Sequence, residues 1–402
     1  MRLALRLARR GRGATSPNPM VGAVLVKNGN IIGQGWHRRA GGPHAEVEAI
    51  RDAQRRGHNP RGATLYVTLE PCSTRGRTPP CTDAIIAAGI KRVIVGAIDP
   101  NPKHAGKGFK ILRRAEIKVI TLGEWEGRAR SPLRADPGLA RQRRAEDCAP
   151  HQNLADECAR LNEAFNHWIV RHTPFVTVKA AMTLDGKIGT ASGESKWITG
   201  HKARAFAMNL RQGADAILVG INTILADDPS LTARNPKSEI RNPKLRRIVL
   251  DTRARTPLKS KMVSDEHAEL TTIVVGNVAP KNRVAALAKR VNVWMAPSAR
   301  SEIGNRKSKI DLRWLLGKLG RENVTSLLVE GGGEVNASFL LQGLAHRVAF
   351  FYAPKILGGR DARKAVAGEG VKRLDEIIQL REVEWRRLGP DLLLTARVES
   401  KL

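Results

Sequence analysis

The chain has 402 residues, a length that allows two separate hydrophobic cores. Its apolar fraction of 42% and charged fraction of 27% are typical of a globular protein, and no apolar stretch approaches the ~20 residues that span a bilayer. The formal net charge of +31 raises nucleic acid as a partner, but the basic residues are scattered and suit a phosphorylated substrate equally well.

The first 122 residues alternate short strands and helices. The N-terminus, MRLALRLARRGRG, is basic and amphipathic like a transit peptide, but it runs directly into a folded pattern. Strands at residues 20–26 and 31–36 flank Asn28-Gly29, which predicts a tight hairpin turn. The order that follows predicts a three-layer α/β domain over residues 1–122. Its later elements are a helix at 44–56, a strand at 63–69, a helix after Cys81, a strand at 92–97, and a further helix and strand ending near Ile120.

Residues 123–153 interrupt this pattern. The segment is rich in Arg, Pro and Gly and has no apolar periodicity, so it predicts a basic linker or mobile insertion. A helix at about 154–170 then leads into a second α/β domain, predicted over residues 154–402. A second basic loop, at 235–246, is interpreted as an insertion without a catalytic role. The strand candidates of the second domain lie at residues 175–180, 216–219, 247–251, 272–275 and 327–329.

The most informative cluster combines His44-Ala45-Glu46 with two Pro-Cys pairs that end in Cys72 and Cys81. Catalytic zinc commonly takes three protein ligands and leaves its fourth position to water, whose pKa falls toward ~7. We predict that His44, Cys72 and Cys81 are the ligands, and that Glu46 faces the water as a proton shuttle. The strand at 63–69 is expected to deliver Cys72 to a helix N-terminus, whose dipole favours a thiolate. Taken singly, each residue is as well explained as an ordinary core or surface residue.

Taken together, HAE followed by PC resembles the cytidine deaminase superfamily. Cytidine and transfer-RNA adenosine deaminases typically carry PCxxC, whereas PCSTRGRTPPC places eight residues between the cysteines. That spacing, with the segments TSPNPMVGAVLV, GGPHAEVEAI and TLEPC, resembles the riboflavin-pathway deaminase. The resemblance implies that Asn18 helps to hold the substrate. Thr74 and Glu48 depart from the family, which often has His at both positions.

Three further blocks lie in the second domain: PFVTVKAAMTLDGKIGTASGESKWITG, GADAILVGINTILADDPSLTAR and LLVEGGGEVNASFL. A glycine-rich turn from a strand to a helix suits phosphate or dinucleotide binding, although EGGGE lacks the spacing of the usual dinucleotide fingerprint. In this order the blocks resemble the riboflavin-pathway reductase, a dihydrofolate-reductase-like α/β domain, over most of residues 155–400.

The reductase resemblance implies two sets of binding residues. Those for the nicotinamide cofactor are Ala181, Trp197, Thr223, Asp227, Gly332, Gly333, Glu334, Val335, Asn336, Ala337 and Ser338. Those for the substrate are Ser195, Arg211, Leu231, Arg234 and Glu330. Arg211 and Arg234 also suit a phosphate clamp, because a planar guanidinium binds two oxygens at once; without the resemblance, solvated surface arginines explain them equally well. Lys179 and Glu330 are expected to act catalytically, by positioning the sugar and managing its proton.

The resemblance implies a bifunctional enzyme that uses zinc and NADPH. The first domain would hydrolyse the 2-amino group of a diaminopyrimidinone carrying ribosylamino 5-phosphate, and the second would reduce the ribosyl group to ribityl. The alternative is a nucleic-acid deaminase or binding protein with a non-catalytic second domain, favoured by the net charge and by superfamily members that act on flipped bases. Two tyrosines and an aromatic content of 4% argue against it.

Partners and compartment follow from the same features. We expect a phosphorylated pyrimidine substrate, no specific nucleic acid, no membrane association and a homo-oligomer. Four cysteines are too few for a disulfide framework, which favours a reducing, cytoplasmic compartment.

Overall fold

The computed structural model describes residues 1–76, 78–102, 104–124, 154–233, 242, 244–297 and 310–399. They form two compact units, Met1–Arg171 and His172–Leu402. The insertion predicted at 123–153 lies outside the described residues except for Gly123 and Glu124, and most of the basic loop predicted at 235–246 lies outside them too.

The first unit is built on a five-stranded mixed sheet. Its strands are β1 (Gly22–Lys27), β2 (Asn30–Trp36), β3 (Thr64–Leu69), β4 (Arg92–Ala97) and β5 (Lys118–Thr121). Their order is β2-β1-β3-β4-β5, with β3, β4 and β5 parallel and the β1–β2 hairpin antiparallel at one edge. Asn28 and Gly29 turn this hairpin with left-handed φ values of 51° and 81°, the backbone conformation that the predicted tight turn requires.

Helices cover both faces of this sheet. They include α1 (Arg2–Ala8), α2 (Ala45–Arg55), α3 (Cys81–Ala87) and α4 (Lys107–Arg114). Successive strand residues point to opposite faces, so Leu65 and Val67 share a core with α2, whereas Tyr66 packs with α1. The three-layer α/β prediction is confirmed, and the amphipathic N-terminal segment is a helix of the fold.

Two helices that the sequence assigned to the second domain belong to the first unit. They are α5 (Leu154–Leu161) and α6 (Glu163–Arg171). Cys158 of α5 is fully buried against Leu5, Ile94 and Leu122. The unit boundary therefore lies at residues 171/172, and residues 125–153 connect two elements of the same unit.

The second unit is also built on strands. They are β6 (Phe175–Thr183), β7 (Lys187–Gly189), β8 (Ala216–Gly220), β9 (Arg246–Leu250), β10 (Thr271–Gly276), β11 (Asn292–Ala296), β12 (Ser326–Val329), β13 (Arg347–Ala353), β14 (Arg363–Lys364), β15 (Leu380–Leu388) and β16 (Asp391–Val398). They form a nine-stranded sheet in the order β11-β10-β9-β8-β12-β6-β13-β16-β15 and a small ladder of β7 with β14. The strands from β11 to β13 in that order run parallel, and β16 is antiparallel to both of its neighbours. The five predicted strand positions correspond to β6, β8, β9, β10 and β12.

Apolar residues on both faces of the central strands form the core of the second unit. In β8, Ala216 and Leu218 pack on one face while Ile217 and Val219 pack on the other. Strands buried on both faces explain the continuous apolar runs in the sequence. The helices are α7 (His201–Gln212), α8 (Ile221–Asp227), α9 (Lys261–Ser264), α10 (Lys281–Ala288), α11 (Leu312–Arg321) and α12 (Gly333–Leu341). Within the described ranges, no helix has the length and apolar character needed to cross a membrane.

Candidate active sites

Three side chains from separate elements converge in the first unit. His44 precedes α2 as its N-cap residue, Cys72 follows β3, and Cys81 is the first residue of α3. Their ligand atoms all lie within 4.8 Å of one another. His44 Nδ1 is 3.2 Å from Cys81 Sγ and 3.4 Å from Cys72 Sγ. The structure therefore brings together the three residues predicted as zinc ligands.

The surroundings of the two thiols move their pKa values in opposite directions. The hydrogen bond from the Cys81 thiol, reinforced by His44, lowers the pKa of Cys72 to about 4 despite its partial burial. The pKa of Cys81 is raised, because its thiol donates that bond and is itself buried. The Cys81 backbone N–H, at the start of α3, also donates to Cys72 Sγ over 3.3 Å. A single imidazole and two sulfurs around one point form the donor set that Zn²⁺ prefers.

Glu46 lies beside these ligands in the first turn of α2. It is only 3% exposed, and its Oε2 has no hydrogen-bond partner among the described residues. Burial, with a further contribution from the charge of Cys72, raises its pKa to about 7. A buried carboxyl with one free oxygen beside a metal site is suited to moving a proton near neutral pH.

Asn18 is held next to the metal ligands by a histidine that the sequence analysis did not single out. Asn18 Nδ2 lies 3.2 Å from His37 Nε2, and His37 Nδ1 lies 3.0 Å from the Pro43 carbonyl oxygen. Because a carbonyl can only accept, Nδ1 carries the proton, and Nε2 accepts from the Asn18 amide. The His37 and His44 rings meet edge to face at 5.1 Å. The one sequence feature that pointed to a role for His37 in this site is its position seven residues before His44.

A buried cluster of three charges occupies the second unit. Arg211 of α7 donates two hydrogen bonds to Glu330, from Nε over 2.9 Å and from Nη2 over 2.8 Å. Lys179 Nζ of β6 lies 3.5 Å from Glu330 Oε2. Burial alone would raise the pKa of Glu330, but the Lys179 and Arg211 charges outweigh it and lower that pKa to about 2. Glu330 is therefore ionised at neutral pH.

Arg211, one of the two arginines expected to bind phosphate, is hydrogen-bonded to a carboxylate of the protein. Two of the five N–H groups of the Arg211 guanidinium bind Glu330, which leaves both N–H groups of Nη1 and the second one of Nη2 for another acceptor. Arg234 lies outside the described residues. The role of both arginines in binding phosphate remains a prediction.

Two polar residues from the implied sets come together in the second unit. Ser195 Oγ donates to Asp227 Oδ1 over 3.2 Å, and Lys196 Nζ lies 3.3 Å from the same oxygen. Trp197 is 66% exposed, with the Arg204 guanidinium 4.6 Å from its ring centroid.

The other implied positions differ in exposure. Thr223 and Ala181 are half-buried, whereas Leu231 is buried with a left-handed φ of 49°.

The glycine turn after β12 leads into α12, with Gly332 as its N-cap residue. A Cβ on Gly332 would meet nothing within 4 Å, so the backbone here is open to a ligand, whereas one on Gly333 would lie 2.3 Å from the Lys364 carbonyl oxygen. An open helix N-terminus suits a phosphate or pyrophosphate group.

Side chains farther along α12 face the protein. Asn336 and Ala337 are buried, and Asn336 Nδ2 donates to the Ala365 carbonyl over 2.8 Å. Ser338 Oγ bonds the Glu334 carbonyl over 2.8 Å, while Glu334 Oε1 accepts from Gly368 N–H over 3.3 Å. Val335 is half-buried. Of this run, the open backbone at Gly332 is the part best placed to meet a cofactor.

Comparison with known proteins assigns a family to each unit. Residues 1–97 match the cytidine and deoxycytidylate deaminase zinc-binding region, and residues 174–394 match the RibD C-terminal domain. The riboflavin biosynthesis protein RibD of Actinobacillus pleuropneumoniae is 40% identical over 100% of this chain and 95% of its own length. That of Aquifex aeolicus is 40% identical over 98% of this chain and 96% of its own length.

Two solved structures resemble the whole chain. RibD of Acinetobacter baumannii has a TM-score of 0.77 and 33% identity, covering 99% of this chain and 97% of its own. A diaminohydroxyphosphoribosylaminopyrimidine deaminase/5-amino-6-(5-phosphoribosylamino)uracil reductase of Thermotoga maritima has a TM-score of 0.74 and 32% identity, with the same coverage. These similarities support a deaminase joined to a reductase over the nucleic-acid-binding alternative.

Proposed function

The chain belongs to the RibD family of bifunctional riboflavin-biosynthesis enzymes, and we propose that the two sites described above carry its two reactions. The enzyme deaminates 2,5-diamino-6-ribosylamino-4(3H)-pyrimidinone 5-phosphate with zinc as cofactor, and then reduces the ribosyl group to ribityl with NADPH. The observation that best supports the assignment is the His44, Cys72 and Cys81 cluster beside the free carboxylate oxygen of Glu46.

For deamination, His44, Cys72 and Cys81 hold the zinc ion. When bound, zinc supplies Lewis acidity and lowers the pKa of water. Glu46 takes a proton from the attacking water and passes it to the departing amino nitrogen, which leaves as ammonia. Its raised pKa suits both transfers, because a carboxyl that titrates near neutral pH accepts and releases a proton at similar cost.

Asn18 holds the pyrimidine next to this site. The hydrogen bond from Asn18 to His37 leaves the carbonyl oxygen of the amide, and its second N–H, available to a heterocycle. His37 stays neutral because burial lowers its pKa. The pair therefore offers hydrogen bonds without placing a second cation beside the metal.

For reduction, Lys179 and Glu330 act on the sugar. When bound, NADPH would supply the hydride for C1 of the opened ribosyl group. Glu330 stays ionised and holds Lys179 in place, so Lys179 is the group that donates a hydrogen bond or proton to the sugar. Ser195, Arg211, Leu231 and Arg234 contact the substrate together with Glu330.

The remaining assigned positions bind the cofactor. The open backbone at Gly332 takes an anionic group of NADPH, and Asp227 of the same set is hydrogen-bonded to the substrate residue Ser195. Trp197 also belongs to this set. The other members of this set are Ala181, Thr223, Gly333, Glu334, Val335, Asn336, Ala337 and Ser338.

The proposal also covers the domain boundary, the oligomeric state and the cellular location of the enzyme. The deaminase domain extends to residue 171, since α5 completes its core. Homo-oligomer formation is supported by the edge strand β15, where Trp385 is 59% exposed. A cytoplasmic location is supported by the free thiols of Cys72 and Cys81, which bind zinc only when reduced.

Incubating the protein with the diaminopyrimidinone 5-phosphate, with and without NADPH, tests the function. We expect ammonia in both samples and the ribityl product only with NADPH, together with about one zinc per chain. Cys81→Ser should lose both zinc and ammonia release while still reducing the deaminated intermediate. Zinc that is unaffected by Cys81→Ser would refute the metal assignment, and a lack of ammonia from the zinc-loaded wild type would refute the deaminase function.

A further inference from the structure

Glu70 is a buried carboxylate with no role in either reaction as proposed above. It follows β3 and directly precedes Pro71-Cys72, and it is only 6% exposed. Its oxygens accept three backbone hydrogen bonds: Oε2 from Asp99 over 3.2 Å and from Gly106 over 3.0 Å, and Oε1 from Gly108 over 3.1 Å. Hydrogen bonds to an ionised acceptor are about twice as strong as neutral ones, so this carboxylate holds its donors firmly.

The three donors bracket a single loop, here named the 99–108 loop, of which residue 103 is not described. The loop leads from β4 into α4, and Gly106 is the N-cap residue of that helix. Gly106 has no side chain with which to cap the first turn. Glu70 caps it instead, with its negative charge at the positive end of the helix dipole.

The 99–108 loop also lies against the metal site. A Cβ on Gly108 would lie 2.4 Å from the Pro71 carbonyl oxygen, so the loop approaches the residue before Cys72 as closely as only glycine allows. At the other end, Asp99 accepts a hydrogen bond from Asn101 N–H over 2.9 Å. Burial raises the pKa of Asp99, and the Cys72 charge raises it further, which puts the Asp99 carboxylate within electrostatic reach of a zinc ligand.

We propose that Glu70 is a positioning residue for deamination, because its carboxylate holds the 99–108 loop against Pro71 and so forms one wall of the substrate site beside the zinc ligands. The inference rests on the proposed deaminase function. The loop, and not Glu70 itself, faces the pyrimidine. Loss of Glu70 therefore weakens substrate binding more than it slows bond breaking, which is the pattern of a raised KM with kcat largely kept.

Glu70→Gln in the full-length, zinc-loaded enzyme tests this role. Glutamine offers one acceptor oxygen and a donor amide, so at least one of the three backbone N–H groups loses its partner. We expect KM for the diaminopyrimidinone to rise by about tenfold or more, with kcat changed by less than about threefold. Zinc content and reduction of the deaminated intermediate should stay at wild-type values. Hydrogen–deuterium exchange of peptides covering the 99–108 loop should rise.

Two further variants separate positioning from general destabilisation. Asp52→Asn is the matched control, because Asp52 is also a carboxylate that accepts a backbone N–H, from Gln34 over 2.9 Å, but it joins α2 to β2 and does not contact the 99–108 loop through this bond. KM should be unchanged in Asp52→Asn.

Gly108→Ala adds a Cβ that would clash with the Pro71 carbonyl oxygen. It should therefore displace the 99–108 loop and raise KM as Glu70→Gln does. Its control is Gly123→Ala, where an added Cβ meets nothing within 4 Å.

The proposal is overturned if Glu70→Gln keeps KM and loop exchange at wild-type values, or if its activity falls only in proportion to lost zinc. If Glu70→Gln does not fold, a Gly108→Ala variant that folds with normal KM overturns it as well. A wild-type enzyme that releases no ammonia would refute the deaminase function instead, and loop exchange in Glu70→Gln would still decide whether Glu70 holds the loop.

Discussion

Glu46 and Glu330 are both buried carboxyls, yet their surroundings move their pKa values in opposite directions. Burial raises the pKa of Glu46 to about 7. Burial acts on Glu330 in the same sense, but Lys179 and Arg211 outweigh it and lower the pKa to about 2. A carboxyl that titrates near neutral pH can transfer protons, whereas one that stays ionised is suited to holding cations.

Replacing Glu46 with Gln should remove deamination while the metal stays bound. The substitution keeps the size of the side chain and leaves all three ligands in place, but the amide cannot take a proton from water. General acid–base catalysis contributes about 10²–10⁴-fold, so we expect ammonia release to fall by at least about 100-fold with zinc near one per chain. Ammonia release is measured in the presence of saturating substrate.

The internal control for Glu46→Gln is the second reaction of the same chain. Oxidation of NADPH by the deaminated intermediate should remain at its wild-type rate, since Lys179 and Glu330 belong to the other unit. Ammonia release within about threefold of wild type would exclude Glu46 as the proton shuttle.

At the scale of secondary structure, α5 and α6 decide where the first unit ends. Cys158 of α5 fills the core that Leu5, Ile94 and Leu122 line. The side chain of Asn162, between the two helices, exchanges two hydrogen bonds with the backbone of Met20, over 2.8 and 2.9 Å. The two hydrogen bonds join residues 142 positions apart, so the helices are part of the tertiary structure of the first unit.

A fragment of residues 1–171 should therefore fold, bind about one zinc and release ammonia, whereas a fragment of residues 1–124 should not. The shorter fragment leaves Leu5, Ile94 and Leu122 uncovered, and each buried aliphatic side chain is worth about 1.5–3 kcal/mol. Thermal unfolding and zinc content of the two fragments provide the measurement. If the two fragments were equally stable, the boundary of the deaminase domain would lie at residue 122, as the sequence predicted.

At the scale of the whole molecule, each candidate site is built within one unit. His44, Cys72, Cys81 and Glu46 lie in Met1–Arg171, while Lys179, Arg211 and Glu330 lie in His172–Leu402. Among the described residues, each of these two sets comes from a single unit. We therefore expect a mutation in one set to leave the reaction assigned to the other unit intact.

A mixture of Glu46→Gln and Lys179→Ala proteins should form the ribityl product, although neither variant forms it alone. The Lys179→Ala protein deaminates, and the Glu46→Gln protein reduces the intermediate that is released. We expect the mixture to reach about half of the wild-type rate at equal total protein, as measured by product chromatography. A mixture that accumulates the deaminated intermediate without reducing it would argue that the intermediate must stay on the chain that made it.

The sequence by itself determined the features that depend on neighbouring residues. Asn28-Gly29 specifies a hairpin turn because these residues tolerate left-handed φ values. His44 and Glu46 lie close together because both are at the start of one helix. Cys72 and Cys81 can lie close together because only a short segment of chain separates them. Five of the buried parallel strands, β6, β8, β9, β10 and β12, were predicted because strands with both faces buried are continuous apolar runs in sequence.

Only the tertiary structure decided which distant residues meet. Arg211 and Glu330 are 119 positions apart, and their hydrogen bonds make Arg211 part of a buried charge cluster. Glu70, His37 and the helices at 154–171 acquire their roles in the same way. Strands β11, β13, β15 and β16 were not among the predicted positions. In β15 most side chains are exposed and need no apolar alternation. Hydrophobic periodicity shows which face of a helix or strand is buried. Which other element packs on that face depends on the order and register of the strands, and these are fixed only when the whole unit packs.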